Sequence, residues 1–189
     1  MGKIFCIIGN SGAGKTSLAK DVFKSDSRVK HLVSCTTRTR REGENDHSYN
    51  FYSRVYFEEL LFTESLEVLE YDEYGGEYYG LLRSTVEEAL EDTESAYLMV
   101  ITYKGFAVLK DLFPSDVEGV YIRCNPFRAL GRVLKRGDSI HNSIHRFFVN
   151  LRFLFSKREG VRYCVDNNGG ISGTVVKVLG IIDGYFNTI

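Results

Sequence analysis

Gly9-Asn10-Ser11-Gly12-Ala13-Gly14-Lys15-Thr16 follows the apolar run Ile4-Phe5-Cys6-Ile7-Ile8 and leads into the amphipathic stretch Ser17 to Lys24. The stretch fits G-x-x-x-x-G-K-[ST]; with glycine near ~7% of average composition, a chance match in a chain this long is on the order of one per cent. Its setting narrows the reading further. A β-branched strand runs into the loop and a helix leaves it, so backbone N–H groups and the helix N-terminus can converge on phosphates. Gly9, Gly12 and Gly14 permit the backbone conformations and the close approach this needs. Lys15 is expected to reach the β- and γ-phosphates, and the Thr16 hydroxyl, followed by Ser17, to ligate Mg²⁺. A bare glycine-rich turn would need neither the lysine nor the hydroxyl.

Outward from the loop, strand-like apolar runs alternate with helix-like stretches. Ala96 to Ile101 precedes Gly105 to Leu112, Val117 to Arg123 precedes Phe127 to Lys135, and Arg162 to Val165 precedes Val175 to Phe186. That alternation predicts an α/β fold with a parallel sheet buried on both faces. Between Ser34 and Thr93 the texture changes to charge-rich loops and short Tyr/Phe strands around Tyr49 to Phe51 and Leu66 to Tyr71. This segment reads as an insertion. A second polar interruption, Arg136 to Ser143, reads as a lid. The expectation is a single domain, 1–189, of the three-layer P-loop NTPase type: core 1–33 and 94–189, acceptor-binding insertion 34–93, lid about 136–146.

The 189 residues carry 24 Lys+Arg against 25 Asp+Glu, a formal charge of -1. That near-balance offers no global attraction to nucleic acid or to an anionic membrane. Phosphate binding must therefore come from local clusters. Cys6, Cys35, Cys124 and Cys164 lie far apart, lack zinc-site spacing and read as reduced core thiols of a cytoplasmic protein. No apolar run approaches the ~20 residues of a membrane span, and nothing at the start resembles a signal peptide. His31, His47, His141 and His145 share no metal-ligand spacing. The Phe/Leu series from Phe147 to Phe155 reads as the apolar side of a helix.

Ser34-Cys35-Thr36-Thr37-Arg38-Thr39-Arg40-Arg41-Glu42-Gly43-Glu44 concentrates three arginines with several hydroxyls. Arginine grips phosphate in a bidentate way and stays charged at any working pH, so the cluster suits a second phosphate. Taken by itself it also fits a solvated basic loop. It is followed, however, by Tyr49-Asn50-Phe51, by Glu70 and by Tyr78-Tyr79-Gly80. In this order and spacing the chain resembles the guanylate kinase family, which reads as a P-loop, then S-x-T-T-R-x-x-R-x-G-E, D-Y-x-F, an F-x-E and a Y-Y-G segment.

The resemblance covers almost the whole chain and implies a five-stranded parallel core, an inserted acceptor-binding subdomain and a closing lid. By that resemblance Ser34, Arg38, Arg41, Tyr49 and Tyr79, with Glu44, hold the acceptor phosphate, and Glu70 accepts hydrogen bonds from guanine. Arg132 and Arg136 clamp the transferring phosphoryl group. Asn167 lies on the adenine side. ATP and Mg²⁺ are the implied donor and metal, GMP the implied acceptor, and a monomer or homodimer the expected state, with small-molecule nucleotides as partners.

The chain also departs from the family pattern. The family's Asp-x-Asp is Val100-Ile101-Thr102, and the hydroxyl residue after Tyr-Gly is Leu81. Arg146 stands one residue early, which turns it by about 100° on a helix. The departures keep two further readings in view: a ribose 1,5-bisphosphate kinase-like enzyme, and a silent guanylate-kinase-like binding module.

Overall fold

Ile4 to Ile8 alternate strictly across the sheet, and that alternation builds the molecule in three layers. Phe5 and Ile7 enter one apolar cluster with Leu18, Val22, Val175 and Val178. Ile4, Cys6 and Ile8 enter the other with Val86, Leu90, Phe106 and Leu109. Each such side chain contributes about 1.5–3 kcal/mol on full burial, so a strand lined on both faces can only be central.

The computed structural model describes residues 1–42, 44, 49–63, 66–135 and 159–187, and of Lys135 the backbone only. The elements run β1 (Lys3–Gly9), α1 (Lys15–Ser25), β2 (Val29–His31), β3 (Cys35–Thr36), β4 (Asn50–Phe51), α2 (Arg54–Phe62) and β5 (Val68–Tyr74). They continue as β6 (Glu77–Leu82), α3 (Arg83–Glu91), β7 (Ala96–Val100), α4 (Tyr103–Leu112), β8 (Val117–Arg123), α5 (Pro126–Lys135), β9 (Val161–Asp166) and α6 (Ile171–Phe186). The core sheet has five strands in the order β2-β7-β1-β8-β9, all parallel. This is the parallel α/β core expected from the alternating runs.

The insertion forms a separate four-stranded sheet, β4-β3-β6-β5. Its β5–β6 hairpin turns at Gly75 and Gly76, both at positive φ. Antiparallel partners share a face, so Glu70 opposite Leu81 and Asp72 opposite Tyr79 line one side. Tyr71, Tyr78 and Gly80 line the other side, against α2. Gly80 is required there, because a Cβ would stand 2.9 Å from Phe57 Cζ, and Phe57 stacks on Tyr78.

Three details differ from the sequence expectation. Helix α3, inside the span 34–93 assigned to the insertion, buries Val86, Ala89 and Leu90 in the core cluster. The insertion's own sheet therefore ends at Leu82. Cys164 is exposed, whereas Cys6, Cys35 and Cys124 are buried. It sits on β9, which ends the strand order of the core sheet. Finally, α4 begins at Tyr103, two residues before the expected Gly105, because Thr102 caps it.

Candidate functional site

In a parallel sheet the carboxyl ends of the strands gather the site. The loop Gly9–Thr16 lies at that end of β1. Ile7 pairs with Val100, so Val100 and Thr102 lie beside it at the end of β7. Gly12 and Gly14 hold φ of 77° and 90°. A Cβ on Gly12 would meet Ala129 O at 2.4 Å, and one on Gly14 would meet Asn167 Nδ2 at 2.7 Å. Helix α5 and the loop after β9 thus press on the back of the cradle, and only glycine fits.

The N-cap residue of α1 is Gly14, which has no side chain to cap the first turn, and a helix N-terminus attracts anions. Lys15 Nζ donates to Gly9 O at 2.7 Å and Asn10 O at 3.0 Å, which holds the amine across the loop. Thr16 and Ser17 are exposed on the first turn. Asn10 Oδ1 accepts from the buried Tyr121 hydroxyl at 3.3 Å. Ala13 is buried and its N–H donates to Asn10 O, while Ser11 lies half-buried between them.

Asn167 is placed differently from a base-contacting residue. It is 1% exposed; its Nδ2 donates to Ala13 O at 2.7 Å and its Oδ1 accepts from the Thr174 hydroxyl at 3.0 Å. Both ends of the amide tie the loop after β9 to the phosphate loop. Its contribution in this arrangement is to the shape of the cradle. Arg132 reaches the same place, its guanidinium donating to Gly12 O, Ala13 O and Asn167 O at 3.3–3.5 Å. Arg136, the lid about 136–146 and Arg146 lie outside the described residues.

A second cluster gathers on the insertion. Arg38 donates to both Glu44 oxygens, at 2.7 and 2.5 Å, and Glu44 also accepts from the Arg41 N–H at 3.0 Å. Arg38 chiefly, with that N–H, holds the Glu44 carboxyl down at about 2. The Arg38 guanidinium stands 5.2 Å from the Tyr49 ring centre and 5.5 Å from that of Phe51. Tyr49 and Tyr79 meet edge to face at 5.9 Å. Arg38, Glu44, Tyr49 and Tyr79 are therefore brought together, with Arg41 exposed at the rim. Ser34 enters through its backbone, whose carbonyl accepts from Asn50 N and so fixes Tyr49's neighbour.

Glu70 lies farther along the same sheet, half-buried, where β5 packs on α4. Burial pushes its carboxyl up to about 7; Asp72 adds to the rise and Lys104 opposes it. Leu81, on the same face, is 0% exposed and belongs to the core cluster with Ile101 and Phe106. Tyr121, Thr174 and Gly105 were not singled out as site residues from the sequence. A hydroxyl inside an apolar strand and a glycine inside a helix carry no local signal of what they touch. Among the described residues, no group of three His, Cys, Asp or Glu could hold a metal, and no helix is long and apolar enough to cross a membrane.

A five-stranded parallel sheet with this loop at the end of β1 defines a P-loop kinase fold. The chain belongs to the guanylate kinase family, whose model matches residues 1–183. A guanylate kinase of Bacillus anthracis is 32% identical over 172 residues, 88% of this chain and 81% of that protein. One from Thiobacillus denitrificans is 33% identical over 169 residues, 88% of this chain and 79% of that protein. One from Oceanobacillus iheyensis is 38% identical over 122 residues, 64% of this chain and 56% of that protein. Among solved structures, guanylate kinase from Anaplasma phagocytophilum is similar in fold, with a TM-score of 0.69 at 23% identity over 97% of this chain and 86% of that one.

Proposed function

We propose that this protein transfers the γ-phosphoryl group of ATP to a nucleoside monophosphate, with GMP as acceptor and ADP and GDP as products. The observation that carries the reading is the presence of two groups suited to phosphate: the loop Gly9–Thr16 at the carboxyl end of β1, and the Arg38, Glu44, Tyr49 and Tyr79 cluster on the insertion. A carboxyl, Glu70, lies beyond the second grip. An ionised carboxylate accepts two hydrogen bonds, and the adjacent N1–H and 2-amino donors of guanine offer such a pair.

Transfer in line between two bound phosphates needs no protein nucleophile, so catalysis is positioning and charge neutralisation. The backbone N–H groups of Gly12 and of Gly14 to Thr16, with the Lys15 amine, hold the donor phosphates. Arg38 and Arg41, oriented by Glu44, hold the acceptor phosphate with the Tyr49 and Tyr79 hydroxyls. Arg132, at the rim of the loop, turns from backbone carbonyls to the phosphoryl oxygens. The Thr16 hydroxyl would hold Mg²⁺. When bound, the metal would supply charge neutralisation for the donor phosphates. Arg136 is the second clamp in this proposal, and Asn167 keeps the loop in shape.

ADP release from Mg·ATP in parallel with GMP, dGMP, AMP, UMP and ribose 1,5-bisphosphate tests the assignment, with Lys15→Ala as control. Turnover confined to GMP and dGMP supports it. Turnover with the sugar bisphosphate alone would favour the second reading, to which Leu81, Val100 and Thr102 lend weight because none of the three offers a carboxylate to a base. No turnover with any acceptor would leave a binding module.

A further inference from the structure

Gly105 occupies the third position of α4, and its lack of a side chain is used. A Cβ there would lie 2.8 Å from Glu70 Oε2 and 2.8 Å from both Cγ1 and Cδ1 of Ile101. Ordinary contact begins at about 3.5 Å, so a methyl group would require a displacement of roughly half an ångström or more. Ile101 is 8% exposed and packed in the core cluster. Glu70 is half-buried and ends in a flexible side chain. Ile101 must shift as well, but the carboxyl yields more readily.

The helix cannot retreat instead. Thr102 Oγ1 accepts from the Gly105 N–H at 3.1 Å, which fixes the first turn, and Phe106, one residue on, is fully buried. Lys104 and Asp72, whose charges both act on the Glu70 carboxyl, pair at 3.7 Å. Glu70 is thus held in a slot with the bare Cα of Gly105 as one wall.

We propose that Gly105 is a specificity-positioning residue: the missing side chain is the slot that aims the Glu70 carboxyl at the acceptor base. The inference rests on Glu70 being the acceptor-base ligand of the proposed function. Two hydrogen bonds from one carboxylate depend steeply on distance and angle, and a misplacement near 1 Å costs on the order of a hundredfold. Half that displacement should cost about tenfold.

The test is steady-state kinetics of the full chain with Mg·ATP and GMP on the wild type, Gly105→Ala, Glu70→Gln and the double variant. Gly105→Ala is expected to raise the KM for GMP about tenfold, with the KM for ATP within about twofold. The double variant should be no worse than Glu70→Gln alone, because both act through one carboxyl. A wild-type GMP KM in Gly105→Ala, alongside an impaired Glu70→Gln, overturns the role of Gly105 and leaves the acceptor reading standing. Costs that multiply in the double variant, or an effect abolished by adding Ile101→Ala, also overturn it. An unchanged GMP KM in Glu70→Gln sinks the acceptor reading and this inference with it. Where Gly105→Ala fails to fold, Glu70→Asp takes its place, since it keeps the glycine and withdraws the carboxyl by one methylene. A GMP KM raised about as far as in Glu70→Gln then supports the proposal, and a wild-type value overturns it.

Discussion

Lowering the pH from about 8 to about 6 should weaken the acceptor about tenfold through one carboxyl, Glu70. Burial is the main cause that pushes it up to about 7, Asp72 adds to the rise, and Lys104 pulls the other way. Only the ionised form accepts two hydrogen bonds from a base edge, so acceptor recognition is present above this value and lost as pH falls through it. The ionised fraction is about 0.9 at pH 8, about half at pH 7 and about 0.1 at pH 6, and kcat/KM for GMP should follow it. The acceptor phosphate itself titrates near about 6, which adds a second bend to the profile. Glu70→Gln keeps the phosphate and lacks the carboxyl. The ratio of wild-type to Glu70→Gln kcat/KM, measured by ADP release at saturating Mg·ATP, therefore isolates Glu70. Asp72→Asn should move the midpoint of that ratio down and Lys104→Ala should move it up, each by a few tenths because both side chains are largely exposed. A ratio that stays flat from about pH 6 to about pH 8 would refute the assignment of Glu70 to the acceptor base.

Lys15→Ala should lower turnover about a hundredfold or more while the chain remains folded, because the donor phosphates lose the amine that Lys15 carries across the loop; a variant that still turns over normally would remove Lys15 from the chemistry. Asn167→Ala removes the shorter bonds to the Ala13 carbonyl and the Thr174 hydroxyl, which keep only the longer contacts with Arg132 and Asp166 O, so it should destabilise by about 0.5–1.5 kcal/mol and raise the KM for ATP. Differential scanning fluorimetry should read this as a loss of about 2–4 °C per kcal/mol. Arg38→Lys replaces a fork that engages both Glu44 oxygens by a point charge, and GMP titration should show a KM raised about tenfold with little change for ATP.

The phosphate loop was legible because a β-branched run, three glycines, a lysine and a hydroxyl follow one another in the sequence and remain neighbours in space. Strands β1, β7, β8 and β9 were legible as apolar runs for the same reason. Helix α3 was not, since its first turn has neither a side-chain cap nor an acidic residue, and its buried positions are only Val86, Ala89 and Leu90. Strand β2 has three residues, of which only Val29 is buried. In the site, Arg38, Tyr49, Tyr79 and Glu70 were named through a family pattern, and the structure brings the first three into one cluster. The contact of Tyr121 with Asn10 spans 111 positions, and Gly105 acts by what it lacks. Neither leaves a periodicity to read. Asn167 was named, but its burial between Ala13 and Thr174 depends on how α6 follows β9, which no local residue pattern encodes.

The two halves of the proposed acceptor site are built on different foundations. Arg38, Glu44, Tyr49 and Tyr79 all belong to the insertion and hold one another, so their geometry persists whatever the insertion's position on the core. Glu70 lies at the joint, where Leu81 packs with Ile101 and Phe106 and where a side chain at Gly105 would meet the carboxyl. A hydroxyl at position 81 would stand in that apolar cluster at a cost of about 1–3 kcal/mol unless it found a partner. Leucine instead seals the joint with apolar contact. Changes at the joint should therefore alter which base is accepted while leaving the grip on phosphate intact, and changes at Arg38 or Tyr49 should weaken every phosphorylated acceptor alike. Discrimination among acceptors would then depend on how the insertion docks on α4, and affinity on the insertion alone.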